Sequence, residues 1–163
     1  MIATTKSATR SRASAASSNP ERSRLKLSRD QLDEMIAHAR EDAPNECCGM
    51  VAARDGHAVR VYRAANAAAS PYRYEVDPRD QFRIQDEIES EGLDLGAIYH
   101  SHTRSAPYPS QTDINLALTR DGAHELWPGT LYVIVGVAED EPEVRAFTIE
   151  AGGQVREVEL DVA

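Results

Sequence analysis

Tyr99-His100-Ser101-His102, followed after Thr103 to Pro109 by Ser110-Gln111-Thr112-Asp113, is the stretch on which the reading of this chain turns. Leu95 to His102 predicts a strand. Successive side chains on a strand point to opposite faces, so His100 and His102 share one face. Ser110 to Thr119 predicts a helix with Ile114, Leu116, Ala117 and Leu118 as its apolar residues, and Asp113 falls in its first turn. The seven-residue connection lets the helix start fold back over the strand end. Two neutral imidazoles and a carboxylate are good zinc ligands, and three protein ligands leave the fourth tetrahedral position for water, the catalytic rather than the structural pattern. Zinc lowers the pKa of such a water toward ~7.

Each part also has a plainer reading. A bare His-x-His is more often a half-exposed surface pair. Ser110 with Asp113 three residues on is a helix-capping pattern. The combination separates these readings. At this chain's own frequencies of His, Ser and Asp, His-x-His-x7-Ser-x2-Asp arises by chance on the order of 10⁻³.

Working outward, Arg24 to Leu27 predicts a short strand, and Ser28 with Gln31 has capping-box spacing. Leu32, Met35, Ile36 and Ala39 form one apolar helix face, and Pro44 ends that helix. Cys47 to Ala53 predicts a strand, Asp55-Gly56 a hairpin turn, and Ala58 to Ala65 the partner strand. Asn66 to Pro71 is a loop and Tyr72 to Val76 alternates like a short strand. Asp77-Pro78 opens a second helix, with Phe82, Gln85 and Ile88 marking its inner side and Gly92 closing it. Thr130 to Val137, Val144 to Ile149 and Val155 to Leu160 predict three further strands, the last two joined by Gly152-Gly153. Strands joined by hairpins, with helices between them, imply an α+β fold with a mixed, mostly antiparallel sheet and about three flanking helices.

Composition bounds the function. The 163 residues carry 18 Lys+Arg against 27 Asp+Glu, a net charge of −9, which argues against nucleic acid or an acidic membrane as partner. No apolar run approaches the roughly 18 residues that span a bilayer. Cys47 and Cys48 are adjacent; a bridge between them would be strained and close almost no loop. A reducing, cytoplasmic setting follows as the simpler expectation. The two thiols point to opposite faces of a strand, so they are poorly placed to ligate one metal together, and core is the plain reading for them. His38, His57 and His124 lie outside the motif and are expected at the surface. Met1 to Pro20 holds Lys6, Arg10 and Arg12 and no acid. That composition fits a disordered tail or a transit-like segment and lacks the apolar stretch of a secretory signal. The expected organisation is a loose segment over residues 1–23 and one domain over 24–163.

His100-Ser101-His102, Ser110 and Asp113 match the motif of the JAMM (MPN+, Mov34/JAB) metalloprotease family at every specified position. Pro44-Asn45-Glu46-Cys47-Cys48-Gly49 resembles the glutamate motif of its bacterial members. The resemblance runs from about Leu25 to Val162 and includes Asn66, the Tyr74 to Pro78 stretch and the final hairpin. It implies the JAMM/MPN fold, one catalytic Zn2+ held by His100, His102 and Asp113, Glu46 as general base and Ser110 as donor to the oxyanion. Without the motif, Glu46 would be read as a solvated residue at a strand start. The nearest likeness is to small bacterial enzymes that hydrolyse a ubiquitin-like sulfur-carrier protein bearing a C-terminal cysteine. That likeness implies a carrier ending in Gly-Gly as partner, no nucleic acid, no membrane, and allows a homodimer. The eukaryotic relatives' extra zinc-binding insertion has no counterpart, since Ile114 to Thr130 is short and lacks cysteine. Two alternatives stand beside this reading: a broader isopeptidase acting on lysine-linked modifiers, and a non-catalytic MPN scaffold.

Overall fold

The computed structural model describes residues 24–163, so the expectation for residues 1–23 lies outside the described residues. In chain order the elements are β1 (Leu25–Leu27), α1 (Arg29–Asp42), β2 (Cys48–Arg54), β3 (His57–Ala64), α2 (Pro78–Ser90) and β4 (Asp94–His102). They continue as α3 (Gln111–Ala117), β5 (Leu131–Gly136), β6 (Glu143–Glu150), β7 (Gln154–Val158) and β8 (Leu160–Val162). None of the helices among these residues is long and apolar enough to cross a membrane.

Local chemistry sets several boundaries. The Ser28 side chain accepts from the Gln31 backbone while the Gln31 side chain accepts from Ser28, the expected capping box of α1. Asp55 and Gly56 both have positive φ, at 51° and 77°, the conformation a two-residue hairpin needs between β2 and β3. Asp77 caps α2 by accepting from the backbone of Arg79 and Asp80.

The strands form one mixed sheet in the order β7-β6-β5-β4-β2-β3-β1-β8. The α+β expectation holds. β4 lies inside the sheet, antiparallel to β2 and parallel to β5. β7 and β8 occupy opposite edges although only Glu159 separates them in the chain. The sheet therefore rolls until its edges approach one another. The single strand expected over Val155 to Leu160 is divided at that point, because its halves pair with β6 and with β1.

Each face of the sheet has its own core. Leu32, Met35, Ile36 and Ala39 of α1 pack with Leu25, Val51, Ala97, Tyr99 and Val133 on one face. Ile84 and Ile88 of α2 and Ala117 of α3 pack with Met50, Ile98 and Tyr132 on the other. Burying each Leu, Ile, Val or Met side chain among them is worth ~1.5–3 kcal/mol. Gly49 is required where these layers meet β2, since a Cβ there would overlap the Tyr99 ring and the Tyr62 carbonyl.

Three expectations are corrected. Tyr72 to Val76 makes only an isolated bridge, Asn66 to Val76, because its backbone is held largely by the Asn66 side chain instead of a neighbouring strand. Phe82 is 74 % exposed; Ile84 and Ile88, four apart, define the inner face of α2 and leave Phe82 on the outer one. His38 is buried rather than at the surface, for a reason that lies in its hydrogen bonds: Nδ1 accepts from the Tyr99 hydroxyl at 2.8 Å and Nε2 faces Asp42 Oδ2 at 3.4 Å. His57 and His124 are exposed, as expected.

Candidate metal centre

The end of β4 delivers the two histidines, and the start of α3 delivers the aspartate. Alternation along β4 turns His100 and His102 toward the layer of α2 and α3, and Tyr99 and Ser101 toward α1. α3 begins with a reciprocal cap. Asp113 N–H donates to Ser110 Oγ at 3.1 Å, and Ser110 N–H donates to Asp113 Oδ2 at 2.9 Å. The capping role read for these two residues is present, and it aims the Asp113 carboxylate at the histidines.

The three donor atoms form a nearly equilateral triangle. His100 Nε2 and His102 Nε2 are 3.1 Å apart, and Asp113 Oδ2 lies 3.2 Å from the first and 3.1 Å from the second. A tetrahedral ion with bonds of about 2.0–2.1 Å separates its ligand atoms by about 3.3–3.4 Å. The triangle therefore has the dimensions such an ion requires. Its protons point the same way. His102 Nδ1 donates to the Ala106 carbonyl at 2.8 Å, which leaves a lone pair on Nε2 of the neutral ring. In that tautomer His102 Nε2 and Asp113 Oδ2 face each other lone pair to lone pair, whereas a cation satisfies all three atoms together. Among the described residues this is the group of side chains suited to hold a metal ion, and all three are buried.

The electrostatics fit a built charge site. Burial raises the Asp113 carboxyl, but the His100 and His102 rings set against its Oδ2 outweigh it and hold the group well below the usual carboxylate range. Burial lowers His100; for His102, burial is outweighed by the bonds to Asp113 and Ala106, and the net shift is upward. The Tyr74 ring stacks on His100 at 4.2 Å between centroids.

Glu46 reaches the same face by register. Cys48 pairs with His100, so continuing the ladder two residues sets Glu46 opposite His102. The side chain is buried, not solvated, and its Oε2 has no partner. Burial pushes its carboxyl up to about 8; His102 pulls it down and Asp113 pushes it up. An unpaired buried carboxylate is costly unless something later engages it. Cys47 and Cys48 are both core, and burial raises each thiol to about 12.

Sequence reading gives no role to the residues that fix Glu46, and names Asn66 only as a loop residue and as part of the family resemblance. Its N–H donates to the Ser70 carbonyl at 2.9 Å, and its carbonyl accepts from Asn66 Nδ2 at 3.0 Å. Asn66 uses its whole capacity, donating also to Arg73 O at 3.1 Å and accepting from Ala68 N–H and Glu75 N–H at 3.0 Å each. The next residue is pinned as well: Cys47 N–H donates to Ser101 Oγ at 2.8 Å. The signal for Asn66 is its place in that resemblance, just after a strand. Ser101 gave none beyond its place between the histidines.

Residues 28–150 match the family of prokaryotic homologs of the JAB domain. The chain is 39 % identical over 149 residues to the desampylase of Haloferax volcanii, covering 86 % of this chain and 97 % of that protein. It is 35 % identical over 136 residues to the CysO-cysteine peptidase of Mycobacterium tuberculosis, covering 82 % and 88 %. A solution structure of a Desulfitobacterium hafniense protein, 31 % identical, superposes with a TM-score of 0.72 over 85 % of this chain and 92 % of that one.

Proposed function

The chain belongs to the prokaryotic JAB family, and from that premise we propose that it is a zinc hydrolase cutting the amide bond after the C-terminal Gly-Gly of a ubiquitin-like sulfur-carrier protein to release cysteine. The observation that carries the chemistry is the buried His100–His102–Asp113 triangle with an unpartnered Glu46 set opposite His102. The substrate rests on the similarity to the protein named a CysO-cysteine peptidase, most of whose length the chain spans.

His100, His102 and Asp113 would hold the zinc, which when bound supplies a Lewis acid that polarises the scissile carbonyl and acidifies water. Glu46 takes the proton of the attacking water as the new C–O bond forms. Ser110 Oγ accepts from the Asp113 N–H with one lone pair, which leaves its O–H available to donate. That O–H donates to the oxyanion of the tetrahedral adduct. As the C–N bond breaks, Glu46 returns the proton to the leaving amine, and the carrier carboxylate and a free amino group result. A groove of about 190 Å³ beside Tyr74, lined with Leu116, Leu126 and Trp127, offers an apolar bed for the tail.

A second reading, removal of a modifier from lysine, is favoured by the identity to the protein named a desampylase. A non-catalytic scaffold has no physical need for the buried donor triangle. The test is to incubate zinc-loaded protein with a Gly-Gly-ending carrier bearing either C-terminal cysteine or a lysine-linked peptide, and to weigh the products by mass spectrometry. Loss of cysteine from the first is expected. Cleavage of the lysine-linked carrier alone would replace the first reading by the second, and no cleavage of either would overturn both.

A further inference from the structure

We propose that Arg104, braced by Tyr72, binds the α-carboxylate of the leaving amino acid and so makes this site prefer a leaving group that ends in a free carboxylate. The inference rests on the hydrolase reading above and deepens it by giving the leaving group its own recognition residue.

Arg104 stands two residues past His102, in the loop from β4 to α3. Both ends of its local segment are fixed at the centre. Thr103 Oγ1 donates to the Pro44 carbonyl at 2.8 Å, tying the loop to the segment that precedes Glu46. The Ala106 carbonyl accepts from His102 Nδ1 at 2.8 Å, tying it to a member of the donor triangle. Arg104 Nη1 then donates to the Tyr72 hydroxyl at 3.3 Å, and the guanidinium lies over the Tyr72 ring at 5.3 Å. Tyr72 is itself anchored beside Glu46. Its N–H donates to Ser70 Oγ at 3.1 Å, and the Ser70 carbonyl holds the Glu46 N–H. The Arg104–Tyr72 pair thus bridges the two segments that flank Glu46.

The arginine is charged and uncommitted. Arg29, Arg60, Arg63, Arg83, Arg145 and Arg156 all lie against carboxylates. Arg104, like Arg54, Arg79 and several others among the described residues, has no carboxylate ion pair; what sets it apart is its place two residues past His102, where it lies against a phenol ring and hydroxyl. A phenol leaves the positive charge unneutralised and most of the planar N–H fork free, and that fork matches a carboxylate. Asp113 is set against the charge of the zinc it would hold, Glu46 stands beside it, and the whole chain carries −9, so a leaving carboxylate gains from a cation of its own. A leaving amino acid linked through its α-nitrogen has its carboxylate carbon two bonds from that nitrogen, so its charge must come close to these groups. A lysine linked through its side chain places no carboxylate there.

The test compares two carriers that differ in one group: Gly-Gly followed by cysteine, and Gly-Gly followed by cysteine amide. kcat/KM is measured on each for the zinc-loaded wild type, Arg104→Gln and Arg104→Lys. Wild type should prefer the free acid, and Arg104→Gln should reduce the acid-to-amide ratio about tenfold, the scale of a hydrogen bond to a charged group. Arg104→Lys, a point charge without the fork, should restore part of the ratio. Because the measure is a ratio on one folded protein, a general loss of stability cancels. An acid-to-amide ratio unchanged by Arg104→Gln would overturn the inference while leaving the hydrolase reading intact. A wild type that cleaves neither carrier would overturn that reading and this inference with it.

Discussion

On the α1 side of β4, Tyr99 donates to His38, and His38 faces Asp42; on the other side, His100, His102 and Asp113 turn three ligand atoms toward one another. Both sides bury histidine. Burial lowers His38, against the pull of Asp42, and each ring nitrogen has a protein partner. His100 Nδ1 and the nearby Glu46 Oε2 have none. A histidine whose bonds are complete is part of the scaffold. Three donor atoms gathered within 3.1–3.2 Å of one another have the spacing that suits a metal ion. The difference is one of hydrogen-bond completion, since burial is similar on the two sides.

The contrast is easiest to break at Glu46. Glu46→Gln should retain zinc and lose turnover by about 10²–10⁴-fold, the range for removal of a general base. Metal analysis beside steady-state rates checks both halves, and full activity in the variant would remove Glu46 from the mechanism. The scaffold side answers to stability instead. Tyr99→Phe removes the hydroxyl that His38 accepts from and should cost about 1–3 kcal/mol of unfolding free energy by leaving a buried nitrogen unpaired. Denaturant melts measure it. A drop in zinc content without loss of stability would show that the two faces are not separate.

Much of this contrast is legible in the sequence, and the exceptions have physical causes. The α1 capping box, the Asp55-Gly56 hairpin and the α3 cap are local, so three or four residues suffice to read them. The shared face of His100 and His102 follows from strand alternation alone. Glu46 was legible only through family resemblance, because its place depends on the β2–β4 register. The bonds that fix it from Asn66, Ser70 and Ser101 join segments up to 54 residues apart and leave no period in the sequence. His38 was misjudged for the same reason: the partner that permits its burial lies 61 residues away. The change of edge at Glu159 is invisible to a period-two pattern, which continues unbroken while the pairing partner changes.

Zinc content per chain in His102→Ala, set beside His38→Gln, separates a ligand histidine from a scaffold histidine. Wild type and His38→Gln should each hold about one equivalent after loading and desalting, measured by plasma mass spectrometry, while His102→Ala loses most of it because only two ligands remain. Wild-type zinc content in His102→Ala would remove His102 from the ligand set and leave the triangle without a metal role.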